Sequence, residues 1–342
     1  MKICAYLNTY KRYDTVLPLA MMSLINQTRT PDKIIFFDDN KQEDVRDLRN
    51  TEHYKYIFDL MTQKGIPWEY RWGHKRGAHF NHEDANRMKG FDALYFIDDD
   101  NIAEPNCLEE LEKEMKPGVG AVGGLILKPP STPLPFYVTG KLDDIYKGEN
   151  IAWHTWSGNP VECEHLYSGF LYRPGIVHHD LRLSKKVFRG ETMFTHSLFL
   201  KGYKLICTPK AITWHFESAT GGCRTPEEEK SNQDMYNNDS YLFNKWLEFK
   251  RAGKKLYLIR EGLGDNYSFK QVITPEKDSI VATCFPDLYP GNKVISIGEA
   301  EQLVDPKDYE IYTYMEQNNW SGSLKDAYKS LYEHINSRYT PS

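Results

Sequence analysis

Leu94-Tyr95-Phe96-Ile97-Asp98-Asp99-Asp100-Asn101 decides the fold. Its four consecutive bulky apolar residues read as a strand buried on both faces, because a half-solvated strand alternates apolar and polar side chains. The strand then runs into three adjacent carboxylates. Such neighbours repel by about 1 kcal/mol or more per pair even in water, so they persist only when solvated or neutralised by a cation. The carboxyl ends of parallel strands are where α/β proteins hold ligands. A divalent ion carrying a phosphate neutralises such a cluster; a solvated acidic turn is the plain alternative, which the buried strand ahead of it disfavours.

Outward from this strand the same grammar repeats. Ile3 to Leu7 is an apolar run ending in the polar Asn8-Thr9-Tyr10-Lys11-Arg12, and Ile34 to Phe37 is closed by Asp38 and Asp39. Between them Asp14 is placed to cap a helix carrying Leu17, Met21, Leu24 and Ile25, with Pro18 tolerated in its first turn. A polar helix over about 43–64 stops at Gly65, and Trp68 to Trp72 reads as a strand. The loop His74-Lys75-Arg76-Gly77 and a helix over about 81–89 lead to the central strand; a helix over 106–115 and a strand from Val119 to Leu127 follow. Strands and helices alternating at this length predict a mostly parallel sheet with helices on both faces.

The proline-rich 128–135 stretch breaks the alternation. Beyond it the spacing predicts aromatic strands around 151–156 and 165–172, a helix over 191–200, strands over 203–207 and 211–214, a mobile coreless loop over 218–232, and a helix over 236–251. Ala252 to Lys255 reads as a linker. The expected domains are therefore 1–251, with a donor half to about 127 and an acceptor half over 128–251, and a small accessory α/β domain over 256–342. That domain has strands near 256–259, 279–284, 293–297 and 309–314, a closing helix over 324–335, and a turn at Gly262-Leu263-Gly264-Asp265. As a whole it is either an accessory module or part of something larger.

Composition sets bounds on partners. The chain has 342 residues and a net charge of −5, which gives no global attraction to nucleic acid or anionic membrane. Its six cysteines (Cys4, Cys107, Cys163, Cys207, Cys223 and Cys284) show no C-x-x-C spacing and read as reduced thiols. Met1 enters a strand without a leader, and no run reaches the roughly 18 apolar residues of a membrane span. The expectation is a cytoplasmic protein, peripheral at most to a membrane.

Several motifs fall in one order. Leu7 to Arg12, Gln27-Thr28 with Pro31 and Ile34 to Asp39, Phe96 to Asp100, Ser168-Gly169, Gly190-Glu191, and Pro209-x-Ala211-x-x-x-His215 together resemble the family 2 glycosyltransferases of the GT-A fold over about residues 1–250. The resemblance implies a metal-dependent, inverting transfer of a sugar from a nucleoside diphosphate, a UDP-sugar for preference, to a hydroxyl of a glycan or lipid-linked glycan. It implies Asp98, Asp100 and His215 as ligands of Mn²⁺ or Mg²⁺, the imidazole favouring Mn²⁺. It also implies a donor site from Thr9, Tyr10, Arg12, Asp39, Lys75, Arg76, Asp98 and Asp99, a loop over 218–232 that closes on the donor, and Glu191 as base. The family places an Asp second in its "E-D" pair, and two alignments exist here: one puts Glu191 at that position, the other puts Thr192 there and leaves no base. Four other readings follow: transfer to a hydroxylated DNA base, transfer to protein, a catalytically inactive carbohydrate-binding module, and a sugar nucleotidyltransferase, whose glycine-rich basic signature Asn8 to Arg12 lacks. The glycine turn near 262 faintly resembles half of a GT-B enzyme.

Overall fold

The structure is a computed structural model that describes residues 1–40, 46–127, 159–216, 229–251, 255–260, 275, 279–283, 289–296, 300 and 310–315. It divides into two compact units, Met1–Ser240 and Tyr241–Ser342. The expected strands over 151–156, the glycine turn near 262, the closing helix over 324–335 and the loop through 217–228 lie outside the described residues.

In the first unit, β1 (Ile3–Thr9), β2 (Lys33–Asp38), β3 (Trp68–Trp72) and β4 (Ala93–Phe96) pair in parallel in the order β3-β2-β1-β4. Side-chain alternation on β1 explains the two layers. Ile3, Ala5 and Leu7 enter one core with Leu17 and Met21 of α1 (Leu17–Ile25), Phe58 of α2 (Glu52–Gln63) and Leu111 of α4 (Cys107–Glu114). Cys4 and Tyr6 enter the opposite core with Ala85 of α3 (Ala78–Asn86) and with Phe194 and Leu198 of α5 (Gly190–Leu200). Beyond β4 the sheet becomes mixed, continuing through β8 (Phe170–Tyr172), β6 (Val119–Leu127), β9 (Lys204–His215) and β5 (Asn101–Ala103), while β7 (Val161–Cys163) pairs with β9. The expected α/β architecture, with a parallel core and helices on both faces, is the one observed. Cys4, Cys107, Cys163 and Cys207 are buried free thiols.

Local expectations shift in several places, the helix expected over 81–89 running from Ala78 to Asn86 and the strand expected over 165–172 shortening to Phe170–Tyr172. The residue before α1 is Val16, with no side-chain cap; Asp14 instead accepts from Arg46 at 2.7 and 2.9 Å, a better partner than an amide because it is charged. The polar helix starts at Glu52 rather than near 43. The strands expected at 203–207 and 211–214 are one strand, β9. It bulges at Pro209, the register jumping from Gly124↔Thr208 to Leu125↔Ile212, because proline cannot donate to a ladder. The helix α6 (Glu229–Arg251) starts earlier than 236, taking in the end of the presumed loop.

The bulge needs Gly124. A Cβ there would meet the Ala211 carbonyl oxygen at 2.2 Å, and a paired backbone cannot retreat cheaply. Gly124→Ala is expected to cost roughly 1–3 kcal/mol, measured by urea unfolding; an unchanged midpoint would show that the bulge relaxes freely.

The second unit contributes β10 (Lys255–Arg260), β11 (Ile280–Thr283), β12 (Lys293–Ile295) and β13 (Glu310–Met315), all paired in parallel in the order β12-β11-β10-β13. These match the expected short strands closely, since Ile280, Val281 and Ala282 form a fully buried run. Among the described residues no helix is long and apolar enough to cross a membrane.

Candidate active site

Sheet register brings the acidic turn to its partners. β4 and β8 pair antiparallel with Phe96 opposite Phe170; extending that register sets Ser168 beside Asp98. The Ser168 hydroxyl donates to Asp98 and accepts from Asn101 Nδ2 at 2.7 Å. β5 pairs antiparallel with β9, Asn101 opposite His215, and the Phe216 amide donates to the Asp100 carbonyl at 2.9 Å. The end of β9 is thereby fixed against the acidic turn, and His215 Nε2 lies 3.3 Å from Asp100 Oδ1.

Asp98, Asp99, Asp100, His215, Glu191 and Arg12 line one cavity of about 490 Å³. These residues come from four separate stretches of chain. Arg12 is 4% exposed and its Nη2 lies 3.0 Å from Asp100 Oδ2. Its Nε and Nη1 are buried with no protein acceptor among the described residues. Asp99 accepts from the Tyr10 amide at 3.3 Å, and Thr9 is buried at the end of β1.

The electrostatics are those of an acidic cluster short of counter-charge. Burial, then the charge of Asp100, pushes the carboxyls of Asp98 and Asp99 well above the ordinary range. Glu191 opens α5 and is pushed up to about 7, first by burial and then by the charge of Asp98. It is the acidic residue of that helix's first turn. Thr192, the other candidate position, is buried beside it and also lines the cavity.

Asp39, Lys75 and Arg76 fall outside this lining. The Asp39 carboxylate accepts from the Lys75 amide at 2.6 Å, the Gly77 amide at 3.1 Å and Asn81 Nδ2 at 3.1 Å. It is thus committed to holding the 73–77 loop. Arg76 lies over the Phe80 ring at 3.8 Å and Lys75 over Trp72 at 5.8 Å. Asp38 accepts from the hydroxyls of Tyr13 and Tyr70 and is also structural.

Comparison with known proteins gives likenesses of shape alone. No family model and no curated protein matches the chain. Among solved structures, S. aureus TarS is similar at 12% identity over 71% of this chain and 40% of that one, with a TM-score of 0.44. S. aureus TarS 1-349 in complex with UDP is similar at 12% identity over 71% and 66%, TM-score 0.45. GalNAc-T7 with UDP, GalNAc and Mn²⁺ is similar at 10% identity over 73% and 50%, TM-score 0.49. The chain thus spans less than two thirds of the length of each, and what those proteins bind is said of them only.

The rest of the cavity lining, Tyr167 apart, was not legible in the sequence. It is built by Lys186, Val187, Phe188 and Arg189, with Tyr167 and with Tyr236 of α6. Val187 and Arg189 have φ of 51° and 63°, a left-handed backbone costing a non-glycine residue about 1–3 kcal/mol. Asp239, fully buried, holds the segment in place: it accepts from the Ser184 amide at 2.7 Å, the Ser184 hydroxyl at 2.8 Å and the Phe188 amide at 3.0 Å.

The donor types present suit a hard divalent ion, being carboxylate oxygens with an imidazole nitrogen, and the carboxyls of Asp98 and Asp99 are half-buried at this site. Among the described residues no three such groups stand arranged around one point, and Asp100 is engaged by Arg12 and His215.

Proposed function

We propose that the chain is a glycosyltransferase of the GT-A type, moving a sugar from a nucleoside diphosphate to an acceptor hydroxyl with inversion. One observation carries this reading: Asp98, Asp99, Asp100 and His215 share a single cavity with the isolated carboxylate Glu191. Acidic turns are common, but an acidic turn sharing a cavity with a half-buried carboxylate provides both functions that the displacement needs.

Glu191 accepts the proton of the acceptor hydroxyl as its oxygen bonds to the anomeric carbon, while the bond from that carbon to the diphosphate oxygen breaks on the opposite face. Arg12, with two buried N–H-bearing nitrogens lacking acceptors among the described residues, donates to the diphosphate and offsets its charge. Asp98 and Asp100, with His215, would hold a divalent cation, which when bound neutralises the leaving diphosphate. Ser168 orients Asp98. Asp39 serves the donor site indirectly, through the loop that it anchors. The alternative alignment with no base has less support, since Glu191 itself faces the cavity.

The test is thermal shift across nucleotide sugars with and without Mn²⁺, followed by detection of released nucleoside diphosphate. Mn²⁺ is expected to raise Tm, and the increment is expected to grow from about pH 5.5 to about pH 7.5. A cation needs ionised carboxylates, and the raised protonation of Asp98 and Asp99 makes protons compete with it below neutrality. An increment that is absent, or that shrinks as pH rises, would remove these residues as cation ligands.

A further inference from the structure

Glu191 is only as well placed as the helical turn that carries it. Phe194 and Leu198 anchor the body of α5 in the core, whereas Arg189, the residue before the helix, gives it no side-chain cap. A helix start without a cap leaves amides unsatisfied and frays. The aim of the Glu191 carboxylate is therefore set by whatever holds the chain ahead of it.

That chain is a pair of tight turns. The Val187 amide donates to the Ser184 carbonyl at 3.0 Å, and the Gly190 amide to the Val187 carbonyl at 3.0 Å. Val187 and Arg189 take left-handed φ of 51° and 63°, a strained choice for most side chains and more so for a β-branched valine. Such backbone persists only where its surroundings over-determine it. Asp239 of α6 supplies the restraint. Fully buried, it accepts through Oδ1 from the Ser184 amide at 2.7 Å, and through Oδ2 from the Ser184 hydroxyl at 2.8 Å and the Phe188 amide at 3.0 Å. Three residues earlier on the same helix, the Tyr236 ring lies 4.1 Å from that of Phe188, so α6 grips the second turn by backbone and side chain together. Gly190 leaves no slack before Glu191, because a Cβ there would meet Val187 Cγ1 at 2.5 Å.

A buried carboxylate is an expensive way to hold a loop, since it must be fully hydrogen-bonded to stay there. What it adds over an apolar contact is direction. It fixes two backbone amides, one at each end of the strained segment.

We propose that Asp239 is a positioning residue for Glu191: by tying Ser184 and Phe188 to α6 it fixes the first turn of α5, so that the base meets the acceptor hydroxyl at hydrogen-bond distance. This rests on the proposed function, in which Glu191 is that base. Asp239 itself does not line the cavity and acts only through the segment that it holds.

The test is a double-mutant cycle on the full chain. Asp239→Asn keeps the shape, but whichever way the new amide turns, its NH2 faces either the Ser184 amide or the Phe188 amide, so one end of the segment is released. Nucleoside diphosphate release is recorded with Mn²⁺ from whichever of UDP-glucose, UDP-galactose, UDP-N-acetylglucosamine and GDP-mannose raises Tm most, with water and then lactose as acceptor. Wild type, Asp239→Asn, Glu191→Gln and the double variant are compared. Asp239→Asn is expected to lower kcat at least roughly tenfold, since a displacement of about 1 Å can cost about 10²-fold, with donor KM and the nucleotide-dependent rise in Tm unchanged. In the Glu191→Gln background the same substitution is expected to have no further effect, because no base remains to be misplaced. Ser184→Ala, which keeps both amide contacts and removes the hydroxyl, goes through the same cycle with an expected loss of a few-fold, and decides the matter should Asp239→Asn fail to fold. A lower Tm with kcat per folded molecule unchanged would make Asp239 a purely structural residue and overturn the proposal. Equal losses with and without Glu191 would also overturn it, leaving the proposed function standing. Wild-type kcat in Glu191→Gln, or no diphosphate release from any of the donors by wild type, would overturn both.

Discussion

Replacing Asp100 by asparagine is expected to lower donor hydrolysis and transfer by roughly 10³-fold or more. Asp100 stands at the junction of the site: one oxygen meets Arg12 at 3.0 Å, the other meets His215 at 3.3 Å, and its backbone carbonyl holds the end of β9. The neutral amide removes a negative oxygen that a cation requires and loosens the guanidinium that faces the diphosphate. Asparagine is chosen over alanine because Arg12 is only 4% exposed. Alanine would leave the buried guanidinium with neither counter-charge nor acceptor, at about 3–5 kcal/mol, and would confuse inactivity with unfolding, whereas the asparagine amide oxygen still accepts from Arg12. Turnover, Tm and the Mn²⁺-dependent rise in Tm are measured together. Near wild-type turnover with Mn²⁺ would remove Asp100 from the site chemistry.

Much of the scaffold was readable because apolar and aromatic runs between turn residues state themselves as strands. Trp68 to Trp72 and Val119 to Leu127 are strands over the expected bounds, each flanked by turn residues, and Leu94 to Phe96 is buried as its unbroken apolar run requires. What failed to show had weak local signal. Asn101-Ile102-Ala103 is too short to announce a strand, yet its pairing with β9 delivers His215 to Asp100. Pro209 suggested two strands where a bulge keeps one.

The site divides the same way. Asp98, Asp100, His215 and Glu191 were expected together and line one cavity. Asp39 was expected at the donor, but a carboxylate at a strand end satisfies backbone amides as readily as it does a ligand, and here the 73–77 loop supplies them. Lys186 and Tyr236 carried no motif. Their convergence depends on Asp239 tying α6 to the loop, a long-range contact with no signature beyond an ordinary acidic residue in a polar helix.

Glu191→Gln is expected to lower transfer by at least roughly 10²-fold, within the 10²- to 10⁴-fold range of general base catalysis, with nucleotide affinity nearly unchanged. The substitution keeps the size and the helix start but removes the proton acceptor. The pH dependence separates this role from helix capping. Burial and the charge of Asp98 raise Glu191 to about 7, so the ionised base is lost as pH falls through that value, and wild-type transfer is expected to decline about tenfold per pH unit below it. A bound cation would offset the charge of Asp98 and move the break lower, never higher. Protons also compete with the cation at Asp98 and Asp99 over this range, so both profiles are read at saturating Mn²⁺, where the glutamine variant is expected to fall less steeply than wild type because no carboxyl remains at 191 to titrate. A capping role predicts something different: lost helix stability, a lower Tm and an unaltered pH profile. Transfer within a few-fold of wild type, or a fall in the variant as steep as that of wild type at saturating Mn²⁺, would exclude Glu191 as the base.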